Sequence, residues 1–92
     1  MYVNLSVMKP NPGQDAATVD SMQRFAAAAR VQPGCVMCAT FRDQDSGELY
    51  GLGVWESEQA SADGSAACMS AVAGDDFDVL VAEMGNHRLI EL

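Results

Sequence analysis

The sequence predicts a small α+β domain in which helices cover one face of an antiparallel, ferredoxin-like sheet. The 92-residue chain begins with a segment of alternating polarity, and an Ala-rich segment with helical spacing follows it. Two strand-like runs joined by a turn occupy the middle of the chain. A second Ala-rich segment and a weakly alternating segment complete the order β-α-β-β-α-(α)-β. That order is the split βαβ arrangement, and we expect a single domain over residues 1–92.

Residues 2–8 form the first predicted strand, because their side chains alternate with a period of two. The alternation sets Val3, Leu5 and Val7 against Tyr2, Asn4 and Ser6. The next segment, residues 9–13, contains two prolines that fix φ and remove amide donors, so the strand is expected to end there.

Residues 14–30 predict an amphipathic helix. Asp15 is a candidate N-cap, and Arg24 and Arg30 lie late in the segment, where the helix dipole favours cations. The positions expected to face inward are Val19, Met22, Phe25 or Ala26, and Ala29. A Pro-Gly pair at residues 33–34 ends the helix.

Residues 35–42 and 48–55 predict a β-hairpin around a turn at residues 43–47. If Arg42 pairs with Glu48, alternate residues of the two strands share a face. One face then carries Cys35, Met37, Ala39, Phe41, Leu49, Gly51, Gly53 and Trp55, and the other carries Val36, Cys38, Thr40, Tyr50, Leu52 and Val54. Both faces are mostly apolar, so we expect helices to cover one and a second subunit to cover the other.

The C-terminal third of the chain predicts two helices and a last strand. Ser57 is a candidate N-cap for a helix to about residue 73, which a glycine and several serines weaken. Asp75 is a candidate cap for a short helix over residues 76–84, although the apolar run 79–81 is also compatible with a strand. Residues 86–92 alternate weakly and predict the last strand.

Composition and charge exclude several classes of partner. The net charge is −8 and Lys9 is the only lysine, so nucleic acid and anionic membrane surfaces would be repelled. The N-terminus lacks a basic leader and a long apolar stretch, which predicts a cytoplasmic protein. An apolar content of 49% is high for a short chain, and we expect a homodimer.

Cys35 and Cys38 form a C-x-x-C motif at the start of a predicted strand. Residues three apart on a regular strand point to opposite faces, so the two sulfurs are not expected to share a metal or a disulfide. With one further thiol, Cys68, and one histidine, we expect buried reduced thiols and no metal site. The competing redox or metal interpretation requires Cys35 and Cys38 on one face.

Two polar residues are candidates for chemistry. His87 is the only histidine, and it is either a general base or hydrogen-bond donor in a pocket or a surface residue near a chain end. Asn4 interrupts an otherwise apolar strand. Its amide either orients a ligand oxygen or occupies a solvated or dimer-facing position.

Gly51 and Gly53 leave one face of the predicted sheet without bulky side chains. They permit either the close approach of a helix or a cavity that suits a flat aromatic ligand. The candidate walls of that cavity are Met37, Phe41, Leu49 and Trp55. Trp55 is otherwise a core or interface residue, and Tyr50 could supply a phenol to a pocket on the opposite face.

The segment Gly53 to Ala60, with the sequence Gly-Val-Trp-Glu-Ser-Glu-Gln-Ala, follows a strand, a helix and a Pro-Gly stop. In this order it resembles the antibiotic biosynthesis monooxygenase family. The resemblance implies a homodimeric α+β barrel whose two sheets face each other, with a pocket between each sheet and its helices. Some members oxidise polyketide aromatics without metal or flavin, some degrade haem, and some act on small signalling molecules.

The chain departs from the family pattern in the helix after Trp55. Many members carry a histidine in the helix after the tryptophan, and residues 57–73 contain none. The haem-degrading branch also uses a helix tryptophan that is absent here, although Asn4 matches its first-strand asparagine.

The resemblance implies a monooxygenase-like enzyme that needs no cofactor and binds a small planar aromatic. The substrate, once deprotonated, would supply the electrons. The catalytic candidates are Asn4 and His87, and the substrate-binding candidates are Trp55, Tyr50, Met37 and Phe41. The alternative is a non-catalytic homodimer of the same fold that binds a small ligand.

Overall fold

The computed structural model describes all 92 residues as four strands and three helices. Their bounds are β1 (Tyr2–Pro10), α1 (Asp15–Arg30), β2 (Cys35–Arg42), β3 (Leu49–Trp55), α2 (Glu58–Ala71), α3 (Phe77–Leu80) and β4 (Val81–Ile90). The strands form one antiparallel sheet in the order β2-β3-β1-β4, and the helices pack on one of its faces. The predicted ferredoxin-like α+β fold is confirmed.

None of the three helices has the length and hydropathy needed to span a bilayer.

The two long helices begin in different ways. α1 starts at Asp15, and Gln14 occupies the cap position without a side-chain hydrogen bond, so the predicted Asp15 cap is wrong. The Asp15 carboxylate instead accepts two hydrogen bonds from Arg42, at 3.0 and 2.8 Å. Ser57 is the N-cap of α2, as predicted, because its Oγ accepts a hydrogen bond from the Ala60 amide at 3.1 Å.

The β2–β3 hairpin differs by one residue from the predicted register. Arg42 pairs with Leu49 rather than with Glu48. The loop closes one residue later than expected, because the Asp43 amide donates to the Glu48 carbonyl at 2.8 Å and Gly47 turns the chain with φ = 79°.

This shift reverses the predicted faces of β2. Leu49, Gly51, Gly53 and Trp55 share the helix-facing side with Cys38, Thr40 and Arg42. Met37, Ala39 and Phe41 lie on the opposite side with Tyr50, Leu52 and Val54. The prediction that Met37 and Phe41 lie on the same face as the glycines is therefore wrong.

A β-bulge at Val36 changes the parity of β2 a second time. Cys38 pairs with Gly53 and Cys35 pairs with Trp55, so three steps along β2 match two steps along β3. Gly53 and Trp55 share a face, and Cys35 and Cys38 therefore share that face too. The prediction of sulfurs on opposite faces is wrong, because it assumed a regular strand.

The C-terminal elements also differ from their predicted lengths. α3 ends at Leu80, and β4 begins at Val81, so the helix predicted over residues 76–84 is confined to its first half. Asp76 caps it by accepting a hydrogen bond from the Asp78 amide at 3.0 Å. β4 is longer than predicted because it pairs with β1 along nearly the whole length of that strand.

The core lies where α1 and α2 cover the β2–β3 half of the sheet. Its buried members are Tyr2, Ala26, Ala29, Cys38, Trp55 and Cys68. Gly64 of α2 faces the ring of Trp55, and a Cβ at that position would lie 2.8 Å from Cη2. α2 therefore approaches the indole this closely because residue 64 has no side chain.

Candidate ligand-binding site

The helix-facing surface of the sheet consists of four cross-strand rows, each written in the order β2, β3, β1, β4. The two outer rows are Cys35, Trp55, Tyr2, Ile90 and Arg42, Leu49, Met8, Met84. The two central rows are Cys38, Gly53, Asn4, Arg88 and Thr40, Gly51, Ser6, Asn86. The central rows thus combine two glycines on β3 with polar side chains on β1 and β4.

A cavity of about 470 Å³ lies between the central rows and the helices. Gly51 and Gly53 lower its floor, while Met22 and Phe25 of α1 and Met69 of α2 contribute to its apolar wall. α2 packs mainly against α1 and only lightly against the sheet, which leaves this space unfilled. The volume is within the range of about 300–1,000 Å³ typical of small-molecule sites.

Asn4 connects the floor of the cavity to its roof. Its Nδ2 donates a hydrogen bond of 2.8 Å to Oγ of Ser61, which lies in the first turns of α2. Both residues line the cavity, and Ser65 lines it one turn further along the helix. The bond holds the Asn4 amide in place and leaves its second N–H and its carbonyl oxygen for a ligand.

Arg88 lies beside Asn4 in the same row and lines the cavity. Arg24 and Arg42 pair with carboxylates, and Arg30 donates to the Cys38 carbonyl at 2.8 Å. Arg88, in contrast, forms no salt bridge and no side-chain hydrogen bond within the chain. No aspartate or glutamate lines the cavity. A free guanidinium without a competing carboxylate favours an anionic group of a ligand.

The three thiols lie near one another at the Trp55 side of the site. Cys38 and Cys68 line the cavity, and Cys35 packs against the same core. Burial raises the pKa of Cys38 to about 11, and the nearby Cys35 and Cys68 thiols act in the same direction. The thiols are therefore neutral near pH 7, and no group of three or more His, Cys, Asp or Glu side chains is arranged to hold a metal ion.

Of the sequence-based candidates, Asn4 and Trp55 lie together in the cavity. Met37, Phe41 and Tyr50 lie on the opposite face of the sheet, for which we use the name outer face. Met37 and Phe41 are exposed there, because no helix covers that side.

His87 is among the residues that border the cavity, but its side chain lies on the outer face. It pairs with Leu5, which belongs to the outer face, and a Cβ on Gly85, two residues away on the same side, would lie 3.9 Å from its Nε2. The ring therefore does not reach Asn4, and within one chain the geometry gives no support to the expected role of His87 as a base in this cavity.

Two residues of the site were not identified from the sequence. Arg88 and Ser61 enter it only through the register of β4 against β1 and the height of α2 above the sheet. The alternation of residues 86–90 does predict that Arg88 and His87 point to opposite sides of the sheet. It does not indicate which of the two side chains points toward the helices.

Comparisons with known proteins agree with this architecture. The family model for antibiotic biosynthesis monooxygenase matches residues 1–66. Rv0793 from Mycobacterium tuberculosis is 17% identical and superimposes with a TM-score of 0.86 over 99% of this chain and 94% of its own. SnoaB, a cofactor-independent oxygenase from Streptomyces nogalater solved as a point mutant, is 17% identical with a TM-score of 0.80 over 98% and 91%. No curated protein matches the sequence.

Proposed function

Because this chain belongs to the antibiotic biosynthesis monooxygenase family, we propose that it is a cofactor-independent oxygenase of a small, planar, acidic aromatic of the polyketide type. The observation that supports the proposal most is the cavity above the row that holds Asn4 and Arg88. SnoaB, which has the same fold, is a cofactor-independent oxygenase, and its chemistry is the precedent for the reaction type.

The shape of the cavity fits a flat ring system. Its floor is lowered by two glycines, and its lining includes Phe25, Trp55 and several sulfur-bearing side chains. Aromatic rings pack well against thioethers and other rings, so the apolar part would bind a fused aromatic by surface burial. Asn4 and Arg88 then orient the oxygen substituents.

The charge of the cavity suits a substrate that reacts as an anion. The chain presents no carboxylate there, and the imidazole of His87 lies on the outer face, so no protein base is apparent. In this proposal the substrate ionises by itself, because the guanidinium of Arg88 stabilises its enolate or phenolate.

The electron-rich anion then reduces O₂ directly. A ring CH₂ group becomes a carbonyl that carries one oxygen atom, and the second oxygen atom leaves as water with the two hydrogens. The protein contributes orientation and exclusion of water.

A non-catalytic ligand-binding protein is the second candidate. The absence of a histidine from α2 and of any carboxylate from the cavity favours it. It predicts that aromatic anions bind without any consumption of oxygen.

We also propose a homodimer that buries the outer face of the sheet. That face carries Val3, Leu5, Val7, Leu52, Val54 and Leu89. No element of the chain covers these side chains, and an uncovered apolar sheet face is typical of a protein contact. Tyr50, Met37, Phe41 and His87 belong to this face and would contact the second copy rather than the substrate of their own chain.

Oxygen uptake with 1,8-dihydroxyanthrone tests the proposal. We expect uptake faster than autoxidation in buffer, with one O₂ consumed per substrate, and a loss of rate in Asn4→Ala and Arg88→Gln. Lys9→Gln, which removes an exposed cation outside the cavity, is the matched control. Without a protein base, the rate should rise with the ionisation of the substrate. Uptake no faster than the buffer blank, with the ligand bound, would leave the binding protein as the better interpretation.

His87→Ala tests the role expected from the sequence. An unchanged rate of oxygen uptake would show that His87 takes no part in the reaction. Lost uptake in a variant that remains folded and dimeric would restore it as the base.

A further inference from the structure

We propose that Met69 and Met84 form an oxidation-sensitive mouth of the cavity, where hydrogen peroxide converts two thioethers to sulfoxides and so weakens the binding of a flat aromatic ligand. The proposed reaction uses neither side chain, so this is a separate modification site. The inference rests on the proposed ligand class, planar aromatics, and makes their binding dependent on oxidants.

The cavity opens between α2 and β4. The exposed residues of its lining all belong to these two elements, whereas the remaining lining residues are buried or half-buried. β4 is an edge strand, and α2 packs only lightly on the sheet, so a gap remains between them. The side chain of His87 lies on the outer face, and the other exposed lining residues frame the gap. We call this set the mouth, and it consists of Ser65, Met69, Met84, Asn86 and Arg88.

Met69 and Met84 are the apolar members of the mouth, and they lie on its two sides. Met84 pairs with Met8 on the helix-facing side of the sheet, at the edge strand, and is 45% exposed. Met69 lies one turn after Ser65 on α2 and is 56% exposed. A ligand that enters the cavity therefore passes between the two thioethers, and an aromatic edge that remains at the mouth contacts them.

Oxidation changes what these side chains can bind. Thioether sulfur makes favourable contacts with aromatic rings, and the flexible methionine side chain adapts to the shape of a ligand. Hydrogen peroxide transfers one oxygen atom to the sulfur: the O–O bond breaks, an S–O bond forms, and water leaves with the two hydrogens of the peroxide. The sulfur loses two electrons and the peroxide gains them. The sulfoxide is polar and chiral, so it favours water at the mouth over an aromatic edge.

Sulfur atoms deeper in the structure are protected from peroxide. Met22 lines the interior of the cavity and is only 6% exposed. Peroxide attacks the thiolate form of cysteine, and burial raises the pKa of Cys35, Cys38 and Cys68, so these thiols stay protonated near pH 7. Oxidation is therefore expected first at the mouth.

Peptide mapping by mass spectrometry tests the inference directly. The protein is treated briefly with hydrogen peroxide, alone and with anthracene-2-carboxylate, a flat aromatic anion that has no oxidisable CH₂ group. With this ligand at about ten times its Kd, roughly one-tenth of the protein is unoccupied, so sulfoxide formation at Met69 and Met84 should slow about tenfold. Met1, which is 57% exposed and lies outside the cavity, is the internal control and should oxidise equally in both samples. Equal rates at Met69 and Met84 with and without bound ligand would overturn the inference.

Affinity after oxidation provides the second test. Peroxide-treated wild type should bind anthracene-2-carboxylate about three- to tenfold more weakly than untreated protein, because two sulfur–aromatic contacts are lost. Methionine sulfoxide reductases A and B should together restore the affinity, since each reduces one epimer of the sulfoxide.

A leucine variant identifies the methionines responsible. Met69→Leu combined with Met84→Leu keeps side chains of similar volume that peroxide does not oxidise, so its affinity should not change on treatment. Met37→Leu, on the outer face, is the matched control and should lose affinity as the wild type does. An unchanged affinity of treated wild type, or an equal loss in the double variant, would overturn the inference.

These outcomes are distinguishable from those of the oxygenase assay. Protection of Met69 and Met84 without oxygen uptake rejects the oxygenase and keeps the oxidation-sensitive mouth. Oxygen uptake without protection does the reverse. A protein that binds no anthracene-2-carboxylate rejects the ligand class and the inference with it.

Discussion

The two faces of the sheet reverse the usual distribution of polarity in an α+β domain. The face covered by helices has polar side chains in its central rows, whereas the uncovered outer face is mostly apolar. The polar set on β1 and β4 is Asn4, Ser6, Asn86 and Arg88, and the apolar set on β1 and β3 is Val3, Leu5, Val7, Leu52 and Val54. Helices normally cover the apolar face of a sheet.

The difference shows that hydrophobicity indicates burial in the final assembly and not necessarily burial within one chain. In β1 the alternating apolar residues are the natural choice for the core, yet they point away from the helices. A cavity under the helices accounts for the polar side chains of the inner face, and a second copy would account for the apolar outer face.

The largest effect should come from a charge on the outer face. Leu5→Glu places a carboxylate in the middle of the proposed dimer contact, and burying it unpaired is strongly unfavourable. We expect the mass in solution, measured by light scattering, to fall from a dimer to the 9.7 kDa monomer. Val31→Glu, at a position 78% exposed beyond α1, is the control and should leave the dimer intact. If the wild type is a monomer, or if Leu5→Glu remains a dimer, a second copy does not cover the outer face.

On the inner face, Gly64→Ala should lower the free energy of unfolding by about 1–3 kcal/mol. Alanine normally stabilises a helix by about 1 kcal/mol relative to glycine, but here the new methyl group would overlap the indole ring. Urea denaturation measures the difference. Gly74→Ala is the matched control, because no heavy atom would lie within 4 Å of its Cβ. Stabilisation by Gly64→Ala would mean that α2 can move away from Trp55 at little cost.

Removing the guanidinium of Arg88, the arginine that lines the cavity, should have a smaller, selective effect. Arg88→Gln is expected to weaken binding of the 1,8-dihydroxyanthrone anion about tenfold, since hydrogen bonds to charged groups contribute about 1.5–3 kcal/mol. Binding of neutral anthracene should not change. Equal losses for the anion and for anthracene would indicate that Arg88 shapes the cavity without recognising charge.

The smallest expected effect concerns the thiols and depends on pH. The Cys38 thiol titrates near pH 9 in an unfolded chain and near pH 11 when buried. Between these values only the unfolded state loses the proton, so the free energy of unfolding should fall as pH rises, by about 1–2 kcal/mol. Cys38→Ala should show a flatter pH dependence of stability than wild type. Parallel curves for the two proteins would show that the buried thiol ionises freely.

The sequence predicts the order of elements and several of their ends, because periodicity and capping are local properties. Ser57 caps α2 through the amide of Ala60, three residues away, and the Pro-Gly pair lies in the turn that follows α1, where Gly34 has a φ of 81°. The sequence does not predict which residues share a face in β2, since that depends on how the loop closes at Glu48 and on the bulge at Val36.

Two residues of the candidate site, Asn4 and Trp55, could be predicted because they depend on local alternation. Both lie on strands whose alternation is regular, and the structure brings both to the cavity. The positions of Arg88 and Ser61 in the site depend on the register of β4 against β1 and on the packing of α2 above the sheet, and both of these are set by tertiary contacts. The face of His87 is likewise decided by that register.

The bulge at Val36 changes which residue numbers of β2 face the helices. Before the bulge the odd-numbered Cys35 faces them, and after it the even-numbered residues from Cys38 onward do. Although they are three residues apart, Cys35 and Cys38 share a side because Val36 is the extra residue of the bulge. Deleting Val36 would remove the bulge and leave a continuous alternation in which Cys35 and Cys38, then two positions apart, still share the helix-facing side. The extra residue in β2 thus adds one side chain to the strand without changing which thiols lie in the core beside the cavity.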